Sequence, residues 1–354
     1  MIHCLLALLV MSPSIGQETS QPTNSHLQVD ILAINGDMIQ FLDEHVKETY
    51  PERRLRQLVD SIFSEEFLNL VYDNTKTKTA IETFQSRNGN CLSFTTMFVA
   101  MARHLGLDAR FQEVYIIPTW SKKGDTVVLS RHMNAVVLID GKRMEVDFNP
   151  YQDRKESSKQ IIEDIRALAQ YYNNVGCELF SQGKTEEAAA WLQQAVVLDP
   201  NLSFAWSNLG VNYRAMKRHE EAERCYLRSL EINRHEYTAM VNLSRLYETI
   251  GKTREAQKLL KRADNFRKQN PYFHYTLGER AYEEGNYKEA IAHYRRAIRR
   301  KKTEHEFHFS LAKAYIHLGH KEKAADSLRR AREYAPDVFN ENLYFQKLDR
   351  LAAR

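Results

Sequence analysis

Three side chains in the first half of this 354-residue chain have the types and spacing for thiol chemistry. Cys91 follows Arg87-Asn88-Gly89-Asn90 and opens a stretch in which Phe94, Met97, Phe98, Met101 and Leu105 recur at helical spacing until Gly106 stops it. Asn90 is placed to cap that helix, which puts Cys91 in its first turn. There the unpaired N–H groups and the helix dipole favour a thiolate and can hold an oxyanion. Beyond the helix the apolar period shortens to that of strands, over 111–117, 126–130, 132–139 and 142–148. Asp140-Gly141, between the last two, is a two-residue hairpin signal. Counting outward from that turn sets Asp147 opposite Asn134. His132 shares the face of Asn134 and is the diagonal neighbour of Asp147. A cysteine nucleophile needs such a base, oriented by such a carboxylate.

The segments Arg87–Phe94 (RNGNCLSF), Ala102–Arg110 (ARHLGLDAR), Arg131–Val137 (RHMNAVV) and Gly141–Pro150 (GKRMEVDFNP) together resemble the transglutaminase-like superfamily of papain-type thiol enzymes, over residues 50–150. The resemblance implies an α+β fold in which Cys91 is the nucleophile, His132 the general base and acid, and Asp147 its orienter. Many members carry an aromatic residue two positions beyond the histidine. Asn134 stands there instead, a departure that bears on the substrate pocket. Papain-like enzymes place a glutamine a short way before the cysteine, which makes Gln85 a candidate second oxyanion donor. Trp120, near the Pro118 turn, is a candidate wall of the cleft. The implied reaction is attack of a thiolate on an amide carbonyl to give an acyl-thioester. Water resolves it in a protease or amidase, an amine in a cross-linker. The alternative is a non-catalytic adaptor that uses the fold only as a scaffold.

The elements that must position these residues begin upstream. Leu27 to Phe84 reads as helices, with Pro51 opening one whose apolar face is Leu55, Leu58, Val59, Ile62 and Phe63. The second half has a different character, a repeat of period 34 without insertion. Small residues recur at Gly176, Gly210, Ser244, Gly278 and Ala312, and alanine at Ala188, Ala222, Ala256, Ala290 and Ala324. Gly183, Gly251, Gly285 and Gly319 break each helix pair, with Lys217 the exception. Small residues let neighbouring helices approach, while Leu209, Tyr213, Tyr226, Leu277 and Tyr294 fill the gaps. The pattern resembles the tetratricopeptide repeat over 169–202, 203–236, 237–270, 271–304 and 305–338, with Pro200 and Trp206 at the motif's Pro and Trp positions. Residues 339–354 read as a capping helix over an apolar flank that includes Leu311, Tyr315 and Leu328. The resemblance implies an all-α solenoid whose inner groove binds a peptide or protein. Phe204, Arg214, Arg245, Tyr272, Tyr275, Tyr282 and Phe309 are the candidate contacts.

The expected organisation is a signal peptide over 1–16, a polar linker over 17–26, a transglutaminase-like domain over 27–160, five repeats within 161–338 and the terminal helix. The leader rests on the apolar run Cys4–Met11 before Ser14-Ile15-Gly16, and it implies export to a periplasmic or extracellular space, with a cytoplasmic location as the alternative. That run is far short of the ~20 residues needed to cross a bilayer. Residues 1–168 carry a net charge of −4 and 169–354 one of +8. No nucleic-acid motif accompanies the basic half, so a protein partner is expected and nucleic acid is not. Cys4, Cys91, Cys177 and Cys225 show no zinc or redox spacing. His305/His308 and His317/His320 lack a carboxylate or cysteine to complete a metal set, and no cofactor is expected.

Overall fold

Local chemistry sets the helix boundaries in the computed structural model, which describes residues 28–64, 66–73, 75–116, 119–120, 127–128, 131–148 and 156–352. The leader and linker expected over 1–26 lie outside the described residues, as do Pro118 and the side chain of Trp120. Helix α1 (Gly36–His45) is capped by Asn35, whose side chain accepts from the Met38 N–H. Helix α2 (Pro51–Phe63) opens at Pro51 and buries Leu55, Leu58 and Ile62. After the short strand β1 (Val71–Tyr72), helix α3 (Ala80–Ser86) starts with a capping box between Thr79 and Glu82. Strand β2 (Asn88–Gly89) runs parallel to β1 and leads directly into α4 (Cys91–His104). Helix α4 is buried from Leu92 through Ala102, and its Phe94 and Phe98 pack against Phe148.

Strand β3 (Asp108–Ile116) follows, then the small ribbon β4 (Thr119–Trp120) and β5 (Val127–Val128), then β6 (Arg131–Ile139), β7 (Lys142–Val146) and β8 (Glu156–Ile162). The main sheet is antiparallel with order β7-β6-β3-β8, and α4 packs on β6 and β3. The β6–β7 hairpin has the expected register, Ile139 opposite Lys142 through Ala135 opposite Val146. Its turn places Asp140 and Gly141 at φ of 50° and 75°, the left-handed pair that this dipeptide favours. Two strands of the main sheet differ from expectation, and the short β1, β2 and β4 have no counterpart in it. Strand β3 begins at Asp108, three residues before the apolar alternation, because its partner β6 continues pairing to Leu138. Strand β8 has no counterpart in the sequence reading. Its Ser158, Lys159 and Gln160 are exposed, so it lacks the alternation of a half-buried strand and pairs with β3 along the sheet edge.

The remainder is helical: α5 (Asp164–Ser181), α6 (Thr185–Leu198), α7 (Ser203–Ala215), α8 (His219–Ile232), α9 (Tyr237–Thr249), α10 (Thr253–Gln269), α11 (Pro271–Glu283), α12 (Tyr287–Arg300), α13 (His305–His317), α14 (Lys321–Glu333) and α15 (Val338–Ala352). From α6 to α14 every helix begins 34 residues after its counterpart. The glycines of the repeat are there for contact: a Cβ on Gly278 would lie 2.5 Å from the Tyr294 ring, and one on Gly210 2.7 Å from Tyr226. Lys217 adopts the same left-handed backbone (φ 60°) as the glycines at its position, a conformation that costs about 1 kcal/mol in a residue with a side chain.

Helix α15 packs against α14, which carries the buried Leu328 of the expected flank, while Leu311 and Tyr315 of that flank lie elsewhere. Leu311 is already buried with Ala281, Ala290, Tyr294 and Ala314, and Tyr315 packs against that cluster. The contact with α15 is made instead by Tyr344, 2% exposed, whose ring lies 5.0 Å from Phe309 and whose hydroxyl is 2.6 Å from His305 Nδ1. Tyr344→Ala should therefore cost about 3 kcal/mol and lower the melting temperature of the chain in calorimetry, whereas Phe345→Ala, on the exposed side, should cost little. Equal melting of the two variants would remove the packing role of Tyr344.

Candidate active site

Cys91 is the first residue of α4, and the approach to it is tightly specified. Asn90 caps the helix by accepting from the Ser93 N–H at 3.0 Å, and its amide donates to Thr77 Oγ1 at 2.9 Å. Gly89 passes so close to the first turn that a Cβ there would lie 2.7 Å from Ser93 Cβ. The helix is tied to the strand bearing the histidine by Thr95 Oγ1, which donates to the Met133 carbonyl at 3.1 Å.

His132 in β6 and Asp147, just past β7, meet as the hairpin phase requires: His132 Nε2 lies 2.6 Å from Asp147 Oδ1. The imidazole is only 4% exposed and the carboxylate 35%. With Nε2 committed to Asp147, Nδ1 is the ring nitrogen left for the thiol. Burial pushes the imidazole toward its neutral form. The hydrogen bond to Asp147, the interaction with Cys91 and the negative charge of both groups outweigh it, and hold His132 at about 9. The group is thus built to be a cation beside a sulfur, the arrangement that activates a thiol.

A raised imidazole is also a statement about stability. Its folded-state value lies above the ordinary 6.5, so the contribution is complete below about pH 6.5 and lost as pH rises through about 9. Its size is roughly 3 kcal/mol. Chemical denaturation of the wild type should show that loss across the window, and His132→Gln should be nearly flat there. Parallel profiles would refute the ion pair.

Asn134, the departure from the family pattern, turns out to support the pair. Its amide donates to Asp147 Oδ2 at 3.2 Å, while its carbonyl accepts from Gln112 Nε2 at 3.0 Å. Gln112 also reaches Glu145 at 3.3 Å and accepts from Arg143 at 2.9 Å. Both Asn134 and Gln112 are fully buried. The sequence reading missed this chain. Its signal was two amides at inward-facing positions of otherwise apolar strands. By contrast, Gln85 sits exposed on α3, and no hydrogen bond among the described residues carries it to Cys91.

The first repeat also touches the site. Glu178 on α5 accepts the Thr77 N–H at 2.7 Å, one residue-to-residue step from the Asn90 cap. Burial, partly offset by that hydrogen bond, raises the Glu178 carboxyl above its ordinary value. Arg166, also on α5, donates to Glu113 of β3 at 2.9 and 3.1 Å and to Asp199 at 2.7 Å. Arg103 of α4 forms a two-pronged ion pair with Asp164 at 2.5 and 2.8 Å.

The candidate groove contacts separate into two groups. Tyr272 is buried, with its hydroxyl donating to Glu304 at 2.5 Å and its ring edge-on to Phe307. It packs between repeats and offers a ligand nothing, which corrects the expectation for that residue. Tyr275 is half-buried against Tyr294 and Phe307, its hydroxyl 3.3 Å from Ser310 Oγ. Phe204, Arg214, Tyr282 and Phe309 are half-buried and Arg245 is exposed. Lys313 Nζ lies 5.1 Å from the Tyr282 ring and 5.5 Å from that of Phe309, so these three form one cluster.

Comparison with known proteins bears on the two halves separately. The family model for the transglutaminase-like superfamily matches residues 40–148, and models of the tetratricopeptide repeat match 176–216, 201–269 and 275–338. A TPR repeat-containing thioredoxin from Oryza sativa subsp. japonica is 30% identical over 92 residues, 26% of this chain and 29% of that protein. The protein O-mannosyl-transferase Tmtc3 of Drosophila melanogaster is 42% identical over 59 residues, 17% of this chain and 6% of that one. The chain thus spans less than a third of the length of either relative. The crystal structure of YrrB, a TPR protein with an unusual peptide-binding site, is similar at 21% identity over 51% of this chain and 92% of that one, with a TM-score of 0.27.

Proposed function

The chain is a transglutaminase-like domain followed by tetratricopeptide repeats, and from that pairing we infer a thiol-dependent amide hydrolase whose repeats select a peptide or protein substrate. The observation that carries this reading is the buried His132, hydrogen-bonded to Asp147 and raised to about 9 by that carboxylate and by Cys91, which stands at a helix start.

In the proposed reaction Cys91 Sγ attacks the amide carbonyl carbon, and the carbonyl oxygen takes the negative charge. The Cys91 N–H, at the start of α4, is the donor available for it. As the C–N bond breaks, the His132 imidazolium gives its proton to the departing amine. The acyl-thioester remains on Cys91. A water molecule, deprotonated by the now neutral His132, attacks the thioester, and the carboxylic acid leaves as the thiol is restored. Asp147 keeps the imidazole oriented and steadies its charged form throughout.

Acid-quenched intact mass spectrometry with a library of peptide coumarin amides tests the chemistry. Wild type should release coumarin and carry the acyl mass on Cys91, and Cys91→Ala should do neither. If no amide in the library gives turnover or adduct, and Cys91 alkylates no faster than an ordinary thiol, the adaptor reading stands instead. Substrate selection is tested separately. Arg214→Glu with Arg245→Glu should weaken capture of protein partners by Cys91→Ala bait roughly tenfold, while alkylation of Cys91 in the wild-type background by a small probe is unchanged. Equal recovery by both baits would assign the groove no part in selection.

A further inference from the structure

Among the described residues, the open cleft between α12, α13 and α14 combines a concave shape with uncompensated charge. It has a volume of about 580 Å³, within the range of small-molecule sites. Arg295, Arg299, Lys302, Lys323 and Arg330 line it, and none of the five makes an ion pair among the described residues. The one acidic lining residue, Asp326, gives its carboxylate to Arg329, outside the cleft. Elsewhere on the same row of helices cations are neutralised: Arg228 by Glu231, Lys252 by Glu223, Lys268 by Asp264.

The repeat supplies an internal control. The positions equivalent to these five, one repeat earlier, are Lys261, Asn265, Lys268, Glu289 and Arg296, and two repeats earlier Leu227, Glu231, Arg234, Glu255 and Arg262. The scaffold therefore tolerates neutral and acidic residues at these sites, and the all-basic set belongs to the last groove alone. Its floor is apolar, with Ile298 and Leu311, and half-buried Tyr315 and Tyr334 border it. Lys323 Nζ lies 5.9 Å from the Tyr315 ring.

We propose that this cleft binds a compact molecule carrying two or more phosphate groups. Three guanidinium forks and two ammonium groups around one small cavity match clustered oxyanions, which accept paired hydrogen bonds from each fork. An extended acidic polymer would need the charge to continue along the solenoid. It does not, since the preceding groove positions are mixed in sign. The occupant is therefore small.

Inorganic tripolyphosphate is the probe, titrated calorimetrically into the full chain at low and moderate salt. Binding should be saturable at one site and weaken as salt rises. Arg299→Glu with Arg330→Glu should lower the affinity at least tenfold. The charge-matched control Arg254→Glu with Lys261→Glu, on α10 outside the cleft, should change it less than twofold. Equal loss in the two variants would mean attraction by net charge only and would overturn the site. So would cleft-dependent binding of duplex DNA or of phosphatidylserine vesicles tighter than that of tripolyphosphate. Because the readout is binding, it stands apart from whether Cys91 is catalytic.

Discussion

Limiting iodoacetamide at about pH 6 should label Cys91 faster than Cys177 or Cys225 by two orders of magnitude or more. The difference lies in what surrounds each sulfur. Burial pushes the thiols of Cys177 and Cys225 up to about 12, so almost none of either is thiolate at that pH. Cys91 instead lies at the N-terminus of α4 and interacts with an imidazole held at about 9, which is a cation under these conditions. Only the thiolate attacks the reagent. His132→Ala removes the cation and should slow the labelling of Cys91 by about a hundredfold at the same pH, with the difference narrowing above pH 9. Peptide mapping of the labelled chain decides it. First labelling on Cys177 or Cys225, or a His132→Ala rate equal to wild type, would end the catalytic reading of Cys91.

The parts of this site that the sequence revealed are those with a period or a turn behind them. The phase of β6 and β7 follows from Asp140-Gly141, and with it the meeting of His132 and Asp147. The helix register from Phe94 to Met101 puts Cys91 at an end, and the period of 34 sets the solenoid. What stayed hidden has no such period. Strand β8 is polar because it lies on an edge, and an edge strand need not alternate. The Thr77–Glu178 bond joins residues 101 apart, and Arg166 reaches Glu113 across 53 positions. Long-range polar pairs of this kind leave no local mark. They also show that α5 is bonded to the sheet and to the loop before α3, whose Thr77 accepts from the Asn90 cap, so the first repeat helps to hold the site it adjoins.

Asp147→Asn should lower amide turnover roughly a thousandfold or more, and Asn134→Ala should lower it by about ten- to a hundredfold although it touches neither substrate nor sulfur. The aspartate change is severe because a neutral amide cannot stabilise the imidazolium, and its NH₂ group competes for the wrong ring tautomer. Asn134 acts one step behind. It holds Asp147 Oδ2 at 3.2 Å and is itself held by Gln112, so the carboxylate that faces His132 has one oxygen pinned from the buried side. Removing that amide takes away one of the contacts that hold Asp147, and His132 should then fall back from about 9 toward its ordinary value. Gln112 would also lose an acceptor in a fully buried position, at a cost of about 1–3 kcal/mol. Stability loss alone is therefore no proof of positioning. The discriminating measurement is the pH profile of Cys91 alkylation, which needs no substrate. In Asn134→Ala its upper limb should move to lower pH, and Asn134→Gln, which keeps an amide at the site, should restore part of the shift. A destabilised variant whose profile overlays wild type would reduce Asn134 to a packing residue and leave the His132–Asp147 pair to stand without it.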